Sequence, residues 1–136
     1  MKRTVLLNRN ISSLIASLGH MDEIVIGDAG LPVPDDVEVI DLAVIKGIPS
    51  FFTLFEAVKS ELAIEKIIFA QEISANLKEQ LNAEIEDWKT VQQKDIAVEE
   101  MSHEDLKKRT RKAKAVIRTG ETTPYANVIL VSGVVF

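Results

Sequence analysis

The stretch GHMDEIVIGDAGLPVP, Gly19 to Pro34, decides the fold. Ile24, Val25, Ile26 and Gly27 form a short apolar run that delivers an acid, Asp28. The run reads as a strand. Pro32 and Pro34 cannot continue a hydrogen-bonded ladder, so the strand ends there. In open α/β sheets, ligands bind beyond the carboxyl ends of strands, and Asp28 stands at such an end. A loop stiffened by Gly30, Pro32 and Pro34 would hold that acid in place for a ligand. The same residues also suit an aspartate that merely shapes a turn.

The sequence on either side alternates helix and strand. Ile11, Leu14, Ile15 and Leu18 recur at helical spacing and predict a helix over about 10–18, capped by Asn10 and ended by Gly19. Val37 to Ile45 reads as one short strand with a second piece. Ser50 caps a helix over 51–62, whose Phe51, Leu54, Phe55, Val58 and Leu62 share a face. Lys66 to Gln71 is apolar enough for the interior of a sheet. Ser74 starts a further helix with Leu77, Leu81 and Ile85, and Asp95 to Met101 is a strand. Ser102 and Asp105 resemble a capping box before a helix to about Arg111. Ala115 to Gly120 and Tyr125 to Phe136 close the chain as strands. This alternation predicts a single α/β domain over 1–136: three layers, α/β/α, around a mostly parallel or mixed sheet of about six strands. The apolar ending, VVF, is expected to be tied down in the fold or in a subunit contact.

Composition narrows the function. The chain has 136 residues, 46% of them hydrophobic and 27% charged, an ordinary globular mixture. It has no cysteine, which excludes disulfides, thiolate nucleophiles and cysteine-based metal sites. The formal charge of −5 argues against nucleic acid or anionic lipid as partner. The single basic cluster, Lys107 to Lys114 (KKRTRKAK), has no interleaved aromatic residues and reads better as a solvated helix face than as a phosphate contact. The first twenty residues lack the pattern of a secretory signal, and no run is long enough to span a membrane. A soluble, cytoplasmic protein is expected.

Few residues are left to carry chemistry. The two histidines, His20 and His103, are the natural proton donors and acceptors near neutral pH. Each also sits where a helix end would favour it, His20 at a C-terminus and His103 in a first turn. Two histidines without cysteine fit no standard metal motif. GDAG lacks the spacing of the common phosphate loops. DAG also resembles the aspartic-protease motif, but those enzymes pair two such motifs in an all-β setting. Trp88 stands in a polar segment and makes a poor stacking platform. RTGETTPYAN, Arg118 to Asn127, gathers hydroxyl, amide and charged side chains between two strands. Such a loop suits sugar hydroxyls, or is a solvated connection.

Taken together, LGHMDEIVIGDAGLPVP and KAKAVIRTGETTPYANVIL resemble the signatures of the D-ribose pyranase family, whose relatives include fucose mutarotase. The likeness runs end to end, through LLNRNISSLIASLGH, MSHEDL and the terminal GVVF. DAGLPVP favours the ribose branch. The resemblance implies a cofactor-free isomerase that interconverts the β-pyranose and β-furanose forms of D-ribose. It implies His20 as proton donor, with Asp28, His103, Tyr125, Ala126 and Asn127 binding the sugar, and no metal. It also implies a homo-oligomer, a decamer of two stacked pentameric rings. A fucose mutarotase and a non-catalytic sugar-binding module are the alternatives. One geometric tension follows. His20 precedes the strand that Asp28 ends, which separates them by about 15 Å. Either the chain after Gly19 doubles back along the sheet, or two subunits share the site.

Overall fold

The computed structural model describes Met1–Phe136. Four helices and six strands alternate as expected: α1 (Arg9–Ser17), β1 (Glu23–Gly27), β2 (Glu38–Asp41), α2 (Phe51–Lys59), β3 (Ile64–Ala70), α3 (Ala75–Gln92), β4 (Ala97–Met101), α4 (His103–Arg109), β5 (Ala115–Arg118) and β6 (Val128–Ser132). A single 3₁₀ turn, Thr110–Lys112, follows α4. The helix starts obey side-chain capping. Ser50, Ser74 and Ser102 accept from the backbone N–H of Thr53, Leu77 and Asp105. At α1 the cap is Asn8, which accepts from Ile11 N at 3.0 Å, so the expected cap Asn10 lies inside the helix.

The sheet order is β2-β5-β1-β6-β3-β4. β1, β2 and β5 run parallel, as do β3 and β4, while β6 is antiparallel to both β1 and β3. β1 to β5 therefore end at one edge of the sheet, and β6 begins there. This mixed sheet has two apolar faces because alternate strand residues point opposite ways. Ile24, Ile26, Ile67, Phe69, Ile117, Val128 and Leu130 pack under α1, α2 and α3. Val25, Ile68, Val116, Ile129 and Val131 face the other way, with Leu106 of α4, Leu31, Val37 and Ala113. Both faces are covered, but the second layer is thin: one two-turn helix and the proline-rich loop.

Trp88 belongs to the larger core. It is fully buried, its ring meets Phe55 edge-on at 5.2 Å, and its indole N–H donates to Leu62 O at 3.1 Å. That is how a buried indole satisfies its single donor. Most of the basic cluster is paired within the chain. Lys107 pairs with Glu104 at 2.6 Å, Arg109 with the buried Glu23 at 2.6 Å, and Lys114 with Asp22 at 3.7 Å. The C-terminal side chains are not tied down within the chain. Val135 and Phe136 are exposed, although Lys94 Nζ donates to the carbonyls of Val134 and Phe136.

Candidate active site

Asp28 leaves β1 at the sheet edge where five strands end. Its backbone N–H donates to Asn127 Oδ1 at 2.8 Å, and Asn127 Nδ2 donates to Asp28 Oδ2 at 2.9 Å. The second carboxylate oxygen accepts from Gly30 N at 2.9 Å, closing an Asx turn. Asn127 is almost completely buried. Its amide is turned to Asp28, so its side chain orients the acid. Ala29 is clamped on both sides: its N–H donates to Glu121 O at 2.8 Å and its carbonyl accepts from Arg118 Nε at 3.0 Å. Arg118 is held in turn by Asp41, at 2.9 and 3.1 Å.

The 119–127 loop is fixed from below by Thr119 and Glu121. The buried Thr119 hydroxyl donates to Gly27 O at 2.8 Å and accepts from Glu121 N at 3.1 Å. The Glu121 carboxylate accepts from Phe51 N at the start of α2 and from both the N–H and the hydroxyl of Thr123. Burial alone would raise its pKa, but these donors outweigh it and hold the carboxyl below its usual range. Gly120 fits because it has no side chain. A Cβ there would lie 2.5 Å from Ile48 O and 2.6 Å from Ile45 O.

This scaffold presents Tyr125 in the left-handed region, with φ of 64°. Such a conformation is strained for an aromatic residue and recurs at ligand sites. The Tyr125 ring meets His103 edge-on, centroids 5.1 Å apart. His103 opens α4, its N–H donating to both carboxylate oxygens of Glu72 at 3.0 Å. Its Nδ1 is buried and has no hydrogen-bond partner. Ala126 is buried in the core cluster, and its N–H donates to Thr123 O at 3.3 Å. Asp28, His103, Tyr125 and Asn127 thus stand at one edge of the sheet; a cavity of about 190 Å³ nearby is lined by Phe51, Phe52, Gln80, Glu121, Thr123 and Ala126 and by none of those four.

His20 does not join them. The chain turns tightly at the opposite edge, where Gly19 N donates to Asp22 Oδ2 at 2.8 Å and Met21 N to Ser132 O at 2.9 Å, and enters β1 at once. Doubling back along the sheet, one of the two expectations for this segment, does not occur. Instead His20 Nε2 lies 2.7 Å from Glu65 Oε2 near the start of β3. His103 follows β4, whose Ala97 to Met101 pair with Lys66 to Ala70 of β3, so five paired strand residues, about 16 Å of rise, lie between the two histidines.

The arrangement offers an acid with a fixed orientation, a histidine with a free buried nitrogen, and a strained tyrosine. These are groups for binding hydroxyls and moving protons. Sequence reasoning missed Glu65 and Glu72. It noted Arg118, Thr119, Glu121 and Thr123 as a polar cluster without seeing that they hold the loops. Glu65 gave little signal, being one of two adjacent charged residues just before the apolar run of its strand.

The whole chain has close relatives. Residues 1–135 match the model of the RbsD / FucU transport protein family. A D-ribose pyranase of Bacillus cereus is 54% identical over 136 residues, and one of Vibrio cholerae is 50% identical over 139, each alignment covering both chains in full. Among solved structures, Bacillus subtilis RbsD complexed with D-ribose superposes with a TM-score of 0.85 at 47% identity, covering 100% of both chains. A fucose mutarotase of Streptococcus pneumoniae in complex with L-fucose gives 0.81 at 26% identity, again over both whole chains. With its family model matched almost from end to end and its fold shared throughout, the chain belongs to the RbsD / FucU family.

Proposed function

We propose that this protein is a D-ribose mutarotase, exchanging the β-pyranose and β-furanose forms of the sugar by acid–base ring opening and reclosure. The observation that carries this reading is full-length identity of 50% or more to proteins named D-ribose pyranase. The solved relative that holds D-ribose supports the choice of sugar. Ring opening needs a donor at the ring oxygen, an acceptor for the anomeric proton, and a grip on the other hydroxyls. A positioned acid or base accelerates such a step about 10²–10⁴-fold. His20 is the proposed donor. Asp28 holds sugar hydroxyls, His103 is the second proton-transfer group, and Tyr125 with the backbone of Ala126 and Asn127 fixes the sugar.

The separation of His20 from the other groups favours a site shared by two copies, with His20 of one chain meeting the Asp28 edge of the next. Exposed apolar residues support this. Met21 beside His20 is exposed, as are Val135 and Phe136 beyond the end of β6, and Val44, Ile45 and Ile48 lie at the edge of Gly120. A contact that joins two different edges is head-to-tail, and such contacts form rings when the rotation between copies closes. This agrees with a homo-oligomer, a decamer of two pentameric rings. We place the protein in the cytoplasm, where it supplies furanose for ribose phosphorylation. No helix is long and apolar enough to cross a membrane.

The test is NMR saturation transfer between anomeric protons, run on D-ribose and on L-fucose. Acceleration on ribose well above that on fucose supports the reading. The reverse order makes the protein a fucose mutarotase. Binding of ribose without acceleration makes it a sugar-binding module.

A further inference from the structure

We propose that Glu65 is a positioning residue for His20: it holds the imidazole proton on Nε2 and thereby assigns Nδ1 as the atom that exchanges a proton with the sugar. The inference rests on His20 being the proton donor, as argued above. Glu65 accepts at 2.7 Å from Nε2, the only side-chain hydrogen bond His20 makes. An ordinary exposed ion pair contributes little. Three features show that this one is built.

The first is a β-bulge. Ile64 pairs with Ser132 and Lys66 with Val131, so Glu65 is the extra residue with no partner across the ladder. Bulges turn a side chain out of the strand's alternation and gather beside active sites. The second is the matching glycine. Gly133 lies against the bulge, and a Cβ there would come within 3.2 Å of Glu65 N. The third lies on the His20 side. Met21 adopts φ of 72°, and its N–H is fixed to Ser132 O, the carbonyl of the residue opposite the bulge. Two local departures from regular backbone, both anchored on Ser132, bring the carboxylate and the imidazole together.

The chemistry follows. In the imidazolium, Glu65 engages Nε2–H and Nδ1–H faces outward. As the C1–O5 bond breaks, its electron pair takes the Nδ1 proton, while the anomeric hydroxyl gives its proton to the second group and becomes the aldehyde. His20 is left neutral with its proton on Nε2. Nδ1 can then accept the O4–H proton as O4 closes on C1, and the aldehyde oxygen recovers a proton from the second group. A carboxylate on Nε2 keeps the same nitrogen available in both directions, the role that orienting acids serve for catalytic histidines generally.

The test compares the full-length protein with Glu65→Ala and Glu65→Gln. Imidazole ¹⁵N shifts of His20 report the tautomer whether or not the protein turns over. The wild type is expected to carry the neutral-state proton on Nε2. Glu65→Ala is expected to give a mixture of tautomers and to lower kcat about tenfold or more with little change in KM. Glu65→Gln, whose amide oxygen still accepts from Nε2–H, should keep the tautomer and recover part of kcat. A wild-type proton on Nδ1, or a Glu65→Ala protein with normal kcat, overturns the proposal. A wild type that leaves ribose exchange unchanged sinks the mutarotase reading instead, with the tautomer still measured.

Discussion

Replacing Asn127 with alanine should loosen the Asp28 edge and weaken sugar binding through that loosening. Two hydrogen bonds disappear together. The bond from Asn127 Nδ2 to Asp28 Oδ2 reaches a charged acceptor, and bonds of that kind are worth about 1.5–3 kcal/mol. The bond from Asp28 N to Asn127 Oδ1 leaves a partly buried N–H unpaired, at about 1–3 kcal/mol. The two act on one unit and do not add fully, so about 3 kcal/mol is expected. For a chain of this length that is a fall in Tm of roughly 10 °C. Asn127→Asp sharpens the case. It puts a second carboxylate about where the amide donor stood, 2.9 Å from Asp28. One of the two must then hold a proton. Its deficit should shrink as pH falls and that proton is taken up from solvent at no cost. Urea unfolding across pH, with ribose titrations alongside, measures both effects. If Asn127→Ala loses ribose affinity while its stability stays within about 0.5 kcal/mol of wild type, the side chain reaches the sugar directly and the reasoning fails.

Three further outcomes are expected. Arg109→Leu strands the buried Glu23 carboxylate, with Lys112 left 3.9 Å away, and should cost about 3 kcal/mol in urea unfolding; adding Glu23→Leu should recover most of it. Gly120→Ala should cost at least about 2 kcal/mol, because its Cβ would meet the backbone of Ile45 and Ile48; a loss under about 0.5 kcal/mol would show that the loop yields. The carboxyl of Glu121 is depressed in the folded protein, so its contribution is present above the ordinary value near 4.5 and lost as pH falls through the lower folded value. Glu121→Gln should therefore be less stable than wild type at pH 7, and the two unfolding curves should converge in acid. A gap that does not depend on pH counts against the assignment.

Legibility in the sequence followed the length scale of each interaction. β1 was readable because four small or apolar residues and two prolines act locally, and the serine caps because Ser50, Ser74 and Ser102 bond three residues ahead. The cap of α1 was read at Asn10, but Asn8 holds it, because its side chain reaches the N–H of Ile11 three residues ahead. The gathering of Asp28, His103, Tyr125 and Asn127 depends on strand order. The sequence showed the pieces of the sheet without the insertion of β6 between β1 and β3. Glu65 was the least visible, since a bulge arises from a register shift between distant strands and has no signature in IEKIIFA. Arg118 and Glu121 stood in a polar loop that pointed to sugar contact, yet their partners are Asp41, Ala29, Phe51 and Thr123, all within the chain.

The central claim is that this fold moves D-ribose between ring forms with His20 as the acid. Saturation transfer between the β-pyranose and β-furanose anomeric protons tests it most directly, run without protein, with wild type and with His20→Ala. The account predicts exchange that rises in proportion to wild-type protein and returns to the uncatalysed rate with His20→Ala. Unchanged exchange at every wild-type concentration, or full acceleration by His20→Ala, would contradict it.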